Sequence, residues 1–206
     1  MPSPNPVLLR TSDGIELEAA LTDADGDRLG AIALTHPHPT YGGDMHAGFV
    51  GLLPDLVARR GVCVLRWNFR GVGRSGGSHG GGVDERLDVV AALDHLVGLD
   101  LGVPILLGGW SFGADVSLAV DDDRHAGWLA VAAPLASAGD GPPAATDARP
   151  KRLLVPEHDQ FRDPDAAAEA TAGWAATTLV TIPGTDHFLG GRTSEIADQL
   201  VGCFSG

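Results

Sequence analysis

Ser111, Asp159 and His187 are of the residue types that together turn a hydroxyl into a nucleophile. A serine hydroxyl attacks poorly near neutral pH. It needs a base to take its proton, and that base needs an acid to hold its ring. Each residue follows a separate apolar run: Ser111 after PILLGGW, Asp159 after RLLVPEH and His187 after TLVTIPGTD. The chemistry that such a set performs is acyl transfer through a covalent acyl-enzyme. The oxyanion formed on attack needs backbone N–H donors. Phe112, directly after the serine, is one candidate. The loop THPHPTYGG supplies the second. Pro37 and Pro39 have no N–H to give, which leaves His38 or Thr40, with His38 preferred.

Rivals exist for each assignment. The pattern G-x-S-x-G occurs three times in this glycine-rich chain, around Ser75, Ser78 and Ser111. Only Ser111 has an apolar run before it and a helical pattern (FGADVSLAVDDD) after it. There the small residues Gly109 and Gly113 let strand and helix approach closely, which is the geometry of a nucleophile elbow. Around Ser75 and Ser78 glycines stand on both sides, and the segment reads as a loop. For the acid, Glu157 shares the strand end with Asp159 and stays open. Asp186 adjoins His187, and neighbours on an extended segment point apart. Asp163 and Asp165 flank Pro164 and read as a helix start.

Three further patterns are set aside. His36 and His38 lack partners for a metal site. The G-x-G-x-x-G at residues 71–76 does not open directly into a helix, as a dinucleotide fingerprint must. DADGD resembles the start of a calcium loop, but its twelfth position is Leu34 where a glutamate is required. No cofactor and no metal are expected.

The elements that must position these residues alternate strand and helix. Antiparallel strands are expected over residues 7–34, joined through DADGD. A helix over about 45–60 follows, despite Pro54, then the strand GVCVLRWNF, a glycine-rich loop and a helix over 83–99 with apolar residues at helical spacing. Beyond the elbow come the strand WLAVAAPLA, a Pro/Ala/Gly-rich loop, the strand KRLLVPEHD, a helix over about 164–176, the strand TTLVTIPG and a helix over about 193–204. This alternation predicts an α/β chain with a mostly parallel sheet covered on both faces. Ligand sites in such sheets lie beyond the carboxyl ends of the strands, where HPHPTYGGD, GWSFG, EHDQF and GTDHF fall.

The length of 206 residues fits one domain spanning 1–206. Lys and Arg number 14 against 27 Asp and Glu, a net charge of −13 that makes nucleic acid or an anionic membrane an unexpected partner. Cys63 lies in an apolar run and reads as a core residue, and with Cys203 it makes no disulfide framework or metal spacing. No signal-peptide pattern and no run of about 18 apolar residues is present. A cytoplasmic location is the expectation.

With THPHPTYGG, VLRWNFRGVGRSGG, GGWSFG, PEHDQF and IPGTDHF in view, the chain resembles the α/β-hydrolase superfamily over nearly its whole length. Within it the resemblance is to small lidless bacterial hydrolases with serine-esterase-like sites. HPHP followed by GG, together with NFRGVGRS, is the most specific part. The resemblance implies Ser111 as nucleophile, Asp159 as acid and His187 as base. It also notes Asn68 where many relatives carry an acid. Caps in this fold usually enter after the strand following the elbow helix. The corresponding stretch here, about 137–150, is too short for one, so an open site taking small or medium acyl esters is expected. A thioesterase, an acyltransferase or a non-catalytic binding protein on the same fold are the alternatives.

Overall fold

The computed structural model describes residues 4–136 and 141–204. The eight strands of the described residues join one sheet in the order β1-β2-β4-β3-β5-β6-β7-β8. The first two, β1 (Asn5–Arg10) and β2 (Glu16–Thr22), form an antiparallel pair, and β2 runs antiparallel to β4 (Val62–Trp67). From β4 onward every pairing is parallel: β3 (Gly30–Thr35) lies between β4 and β5 (Ile105–Trp110). Then come β6 (Gly127–Val131), β7 (Lys151–Pro156) and β8 (Thr177–Ile182).

The expectation of antiparallel strands over 7–34 is therefore corrected for its last member. GAIALT pairs in parallel on both sides. All six of its residues are buried, as a strand covered on both faces requires. DADGD, expected as a hairpin or loop, is a loop across the end of the sheet. Asp25 N–H donates to Ala58 O and Leu29 N–H to Gly61 O.

The two-residue period of the central strands divides the core in two. Ala31, Ala33, Cys63 and Leu65 face one layer, packed with Val89, Leu93 and Leu96 of α2 (Glu85–Gly98) and Ala114 of α3 (Phe112–Leu118). Ile32, Leu34, Val62 and Val64 face the other, packed with Val50, Leu53 and Val57 of α1 (Gly48–Ala58) and with Ile196 and Leu200 of α5 (Thr193–Gly202). α1 continues through Pro54. Two helices are shorter than their patterns suggested. α3 ends at Leu118, and α4 (Pro164–Ala170) ends six residues before the expected 176.

Between β6 and β7 the described residues hold only a 3-10 turn at Pro143–Ala145 and no cap. Residues 137–140 of the stretch singled out as the place for a cap lie outside the described residues.

Candidate active site

The carboxyl ends of β5, β7 and β8 converge on one point. Ser111 follows β5 directly, with φ 55° and ψ −122°. This is a left-handed conformation that disfavours a side chain with Cβ. Two backbone bonds hold it there: Ser111 N–H donates to Val131 O of β6 (2.9 Å), and Asp115 N–H donates to Ser111 O (3.2 Å). The turn is feasible only because its flanks are glycine. A Cβ on Gly109 or Gly113 would collide with Thr35 Oγ1 at the end of β3. Thr35 cannot easily yield, since its hydroxyl bonds Gly108 O (3.0 Å) and Ser117 Oγ (3.3 Å).

Ser111 Oγ lies 2.8 Å from His187 Nε2. On the other edge of the ring, His187 Nδ1 lies 3.0 and 2.9 Å from the two oxygens of Asp159. All three residues are buried to within a tenth of their surface. With Nδ1–H donated to a carboxylate, Nε2 is the acceptor facing the hydroxyl. Asp159 has a second task. Its Oδ1 accepts Phe161 N–H (2.8 Å) and Arg162 N–H (3.3 Å), so the carboxylate also shapes its own loop.

The rival acids are engaged elsewhere. Glu157 accepts Gly184 N–H (2.7 Å), Asp186 accepts Phe188 N–H (3.0 Å) and Asp163 caps α4 by accepting Ala166 N–H (2.8 Å). Ser75 is buried, donating to Asn68 O (2.6 Å) and accepting Glu18 N–H (3.0 Å), while Ser78 is exposed. Among the described residues no cluster of His, Cys, Asp and Glu is arranged to hold a metal ion. No helix of the described residues is long and apolar enough to cross a membrane.

Phe112 opens α3, and its ring lies 4.7 Å from that of His38. The loop after β3 thus sits over the residue following Ser111. His38 Nδ1 accepts Thr40 N–H (3.3 Å), which occupies the Thr40 donor. Burial, and then the charge of His79 with its ring 5.0 Å away, lower the His38 pKa. Between this loop and the glycine-rich loop after β4 lies a cleft of about 380 Å³, bordered by Thr40, Gly43, Asp44, Gly71, Gly73 and His79.

Several residues that the sequence reading gave no supporting role buttress the site. His36 is fully buried, its Nδ1 2.7 Å from Pro37 O while its Nε2 accepts Phe69 N–H (3.0 Å). It ties the two loops together as a neutral imidazole, and burial pushes its pKa down to about 4. Trp110 Nε1–H donates to His187 O (3.1 Å), fixing the imidazole's backbone from the strand that carries Ser111. At the start of α2, buried Glu85 accepts Gly80 and Gly82 N–H of the glycine-rich loop (2.7 Å each) and contacts His79 Nδ1 at 2.8 Å. Asn68 uses both ends of its amide, accepting Met45 N–H (2.9 Å) and donating to Glu18 Oε2 (2.8 Å). A carboxylate there would lack the donor and face Glu18 with like charge.

No protein-family model matches the chain. An uncharacterised protein of Rickettsia prowazekii is 43% identical over 89 residues, which is 42% of this chain and 37% of that protein, so the match spans little more than a third of the relative. Solved structures match far more of the chain. An α/β serine hydrolase homologue from Coxiella burnetii superposes with a TM-score of 0.85 at 29% identity, covering 96% of each chain. A serine hydrolase without a lid from Xanthomonas campestris gives 0.80 at 26% identity, covering 98% of this chain and 92% of that one. A putative α/β-hydrolase from Agrobacterium tumefaciens gives 0.80 at 25%, covering 98% and 95%. With this strand order, the convergence at the ends of β5, β7 and β8 and these neighbours, the chain has the α/β-hydrolase fold, with no cap among the described residues, and resembles the lidless serine hydrolases.

Proposed function

We propose that the protein is a serine hydrolase of carboxylic esters with small or medium acyl groups. The observation that carries this reading is the unbroken chain Ser111 Oγ, His187 Nε2, His187 Nδ1, Asp159, with contacts of 2.8 to 3.0 Å. Ser111 attacks the ester carbonyl while His187 takes its proton, and Asp159 stabilises the imidazolium that forms. The Phe112 and His38 N–H groups receive the oxyanion. His38 is preferred to Thr40 because the Thr40 N–H is already donated. Water then repeats the attack on the acyl-enzyme, with His187 again as base. The lack of a cap among the described residues favours water over a second acyl acceptor, and so hydrolysis over transfer. With no cap among the described residues to enclose an acyl chain, each added methylene gains little of the ~0.8 kcal/mol that full burial provides.

The test is hydrolysis of p-nitrophenyl esters of graded acyl length. Activity is expected to be greatest at roughly two to six acyl carbons. Ser111→Ala should lower kcat at least a thousandfold or so, while Ser78→Ala retains activity. A fluorophosphonate probe should label the native protein and not Ser111→Ala. Labelling that persists in that variant would end the assignment.

A further inference from the structure

Two phenyl rings flank the imidazole and face solvent. Phe161 is 62% exposed with its ring centroid 4.5 Å from that of His187, and Phe188 is 61% exposed at 5.8 Å. Neither is needed to fill the core, and both are held in place. Phe161 N–H is donated to Asp159 Oδ1, the oxygen that also faces His187 Nδ1, and Phe188 N–H is donated to Asp186. The carboxylate that orients the base therefore also sets one of the rings beside it.

This position has a chemical meaning. In the acylation step the Ser111 Oγ–acyl carbon bond forms and the acyl carbon–alkoxy oxygen bond breaks. The proton leaves Ser111 Oγ for His187 Nε2 and passes from there to the departing alkoxy oxygen, which leaves as a neutral alcohol. The departing group must therefore lie against His187, where two exposed phenyl rings stand.

We propose that Phe161 and Phe188 form a leaving-group subsite for aryl or arylalkyl alcohols, so that selectivity is exercised on the alcohol half of the ester. The proposal rests on the ester-hydrolase reading above. An aromatic ring offered to these two gains an edge-to-face or offset contact on either side while the acyl group stays free to vary. Such a contact is worth about a three- to tenfold change in specificity constant per ring.

The experiment holds the acyl group constant and compares kcat/KM for benzyl acetate and ethyl acetate, whose alcohols have similar acidity. The wild-type protein is expected to favour the benzyl ester by at least tenfold or so. Phe161→Ala and Phe188→Ala should each cut the benzyl-to-ethyl ratio by about three- to tenfold, with Phe161→Tyr keeping it. Equal specificity constants for the two esters in the wild type would overturn the subsite. So would alanine variants that slow both esters by the same factor, since the rings would then serve only to orient His187. An unchanged ratio with a changed oligomeric state in gel filtration would assign the rings to contacts between copies instead. Failure of the ester-hydrolase reading looks different: neither ester is turned over.

Discussion

Replacing Ser111 by glycine or by alanine removes the same hydroxyl, yet the two variants should differ in stability. With φ 55° and ψ −122°, Ser111 sits where Cβ crowds the backbone. Such a conformation costs about 1–3 kcal/mol in a residue other than glycine. Alanine keeps the Cβ and therefore the strain. Glycine removes it, at a cost of about 0.4–1 kcal/mol from the freer unfolded chain, plus part of ~0.8 kcal/mol for one lost buried carbon. The backbone bonds to Val131 and from Asp115 survive in both variants, and the lost contact to His187 cancels in the comparison. Taking the middle of each range leaves Ser111→Gly about 1 kcal/mol more stable than Ser111→Ala, or roughly 2–4 °C in Tm for a chain of this size. Urea titration at pH 7 measures the difference directly. Asp94→Gly against Asp94→Ala, within α2, provides a control of opposite sign, with alanine ahead by about 1 kcal/mol. If Ser111→Ala proves equal to or more stable than Ser111→Gly, the turn is not strained and the reasoning fails.

Two other expectations can be checked on the same footing. Gly109→Ala drives a methyl into Thr35, whose hydroxyl is fixed by two hydrogen bonds, and should destabilise by about 3 kcal/mol, whereas Gly98→Ala meets open space and should be neutral or stabilising in denaturant titrations. His36 has a folded pKa of about 4 against the ordinary 6.5, so the unfolded chain binds its proton first. The stability that it contributes is complete above pH 6.5 and is lost as pH falls towards 4, by up to about 3 kcal/mol. His36→Gln, which keeps an acceptor for the Phe69 N–H, should flatten unfolding free energy against pH in that window, and an unchanged slope would contradict this.

The sequence makes visible what depends on local pattern. The strand, turn and helix around Ser111 follow from apolar residues before it, glycines beside it and a helical period after it. The placement of Asp159 and His187 at strand ends follows in the same way. What depends on distant partners is not visible. Nothing within GAIALT says that β4 and β5 will pair with it in parallel, because the choice of neighbour is made by the helices that cross over between them. Glu157 and Asp159 share a strand end, and only the packed loop shows one turned to Gly184 and the other to His187. The role of His36 needs Phe69, 33 residues on, to present its N–H. The early ends of α3 and α4 are likewise set by the chain turning back to reach β6 and β8, not by helix propensity.

His187, the proposed base, stands beyond β8, an edge strand that is bonded on one side only, to β7, and is only partly buried. Ser111, the proposed nucleophile, directly follows β5, in the middle of the sheet with partners on both sides. The two halves of the proposed machinery thus belong to regions of unequal protection. Edge strands open locally at a lower free energy than the sheet centre, and such an opening separates His187 from Ser111 while the interior stays native. Heat or mild denaturant should silence the protein before it melts it. An inactivation midpoint read as a melting temperature would then measure the hold of one marginal strand and understate the durability of the rest.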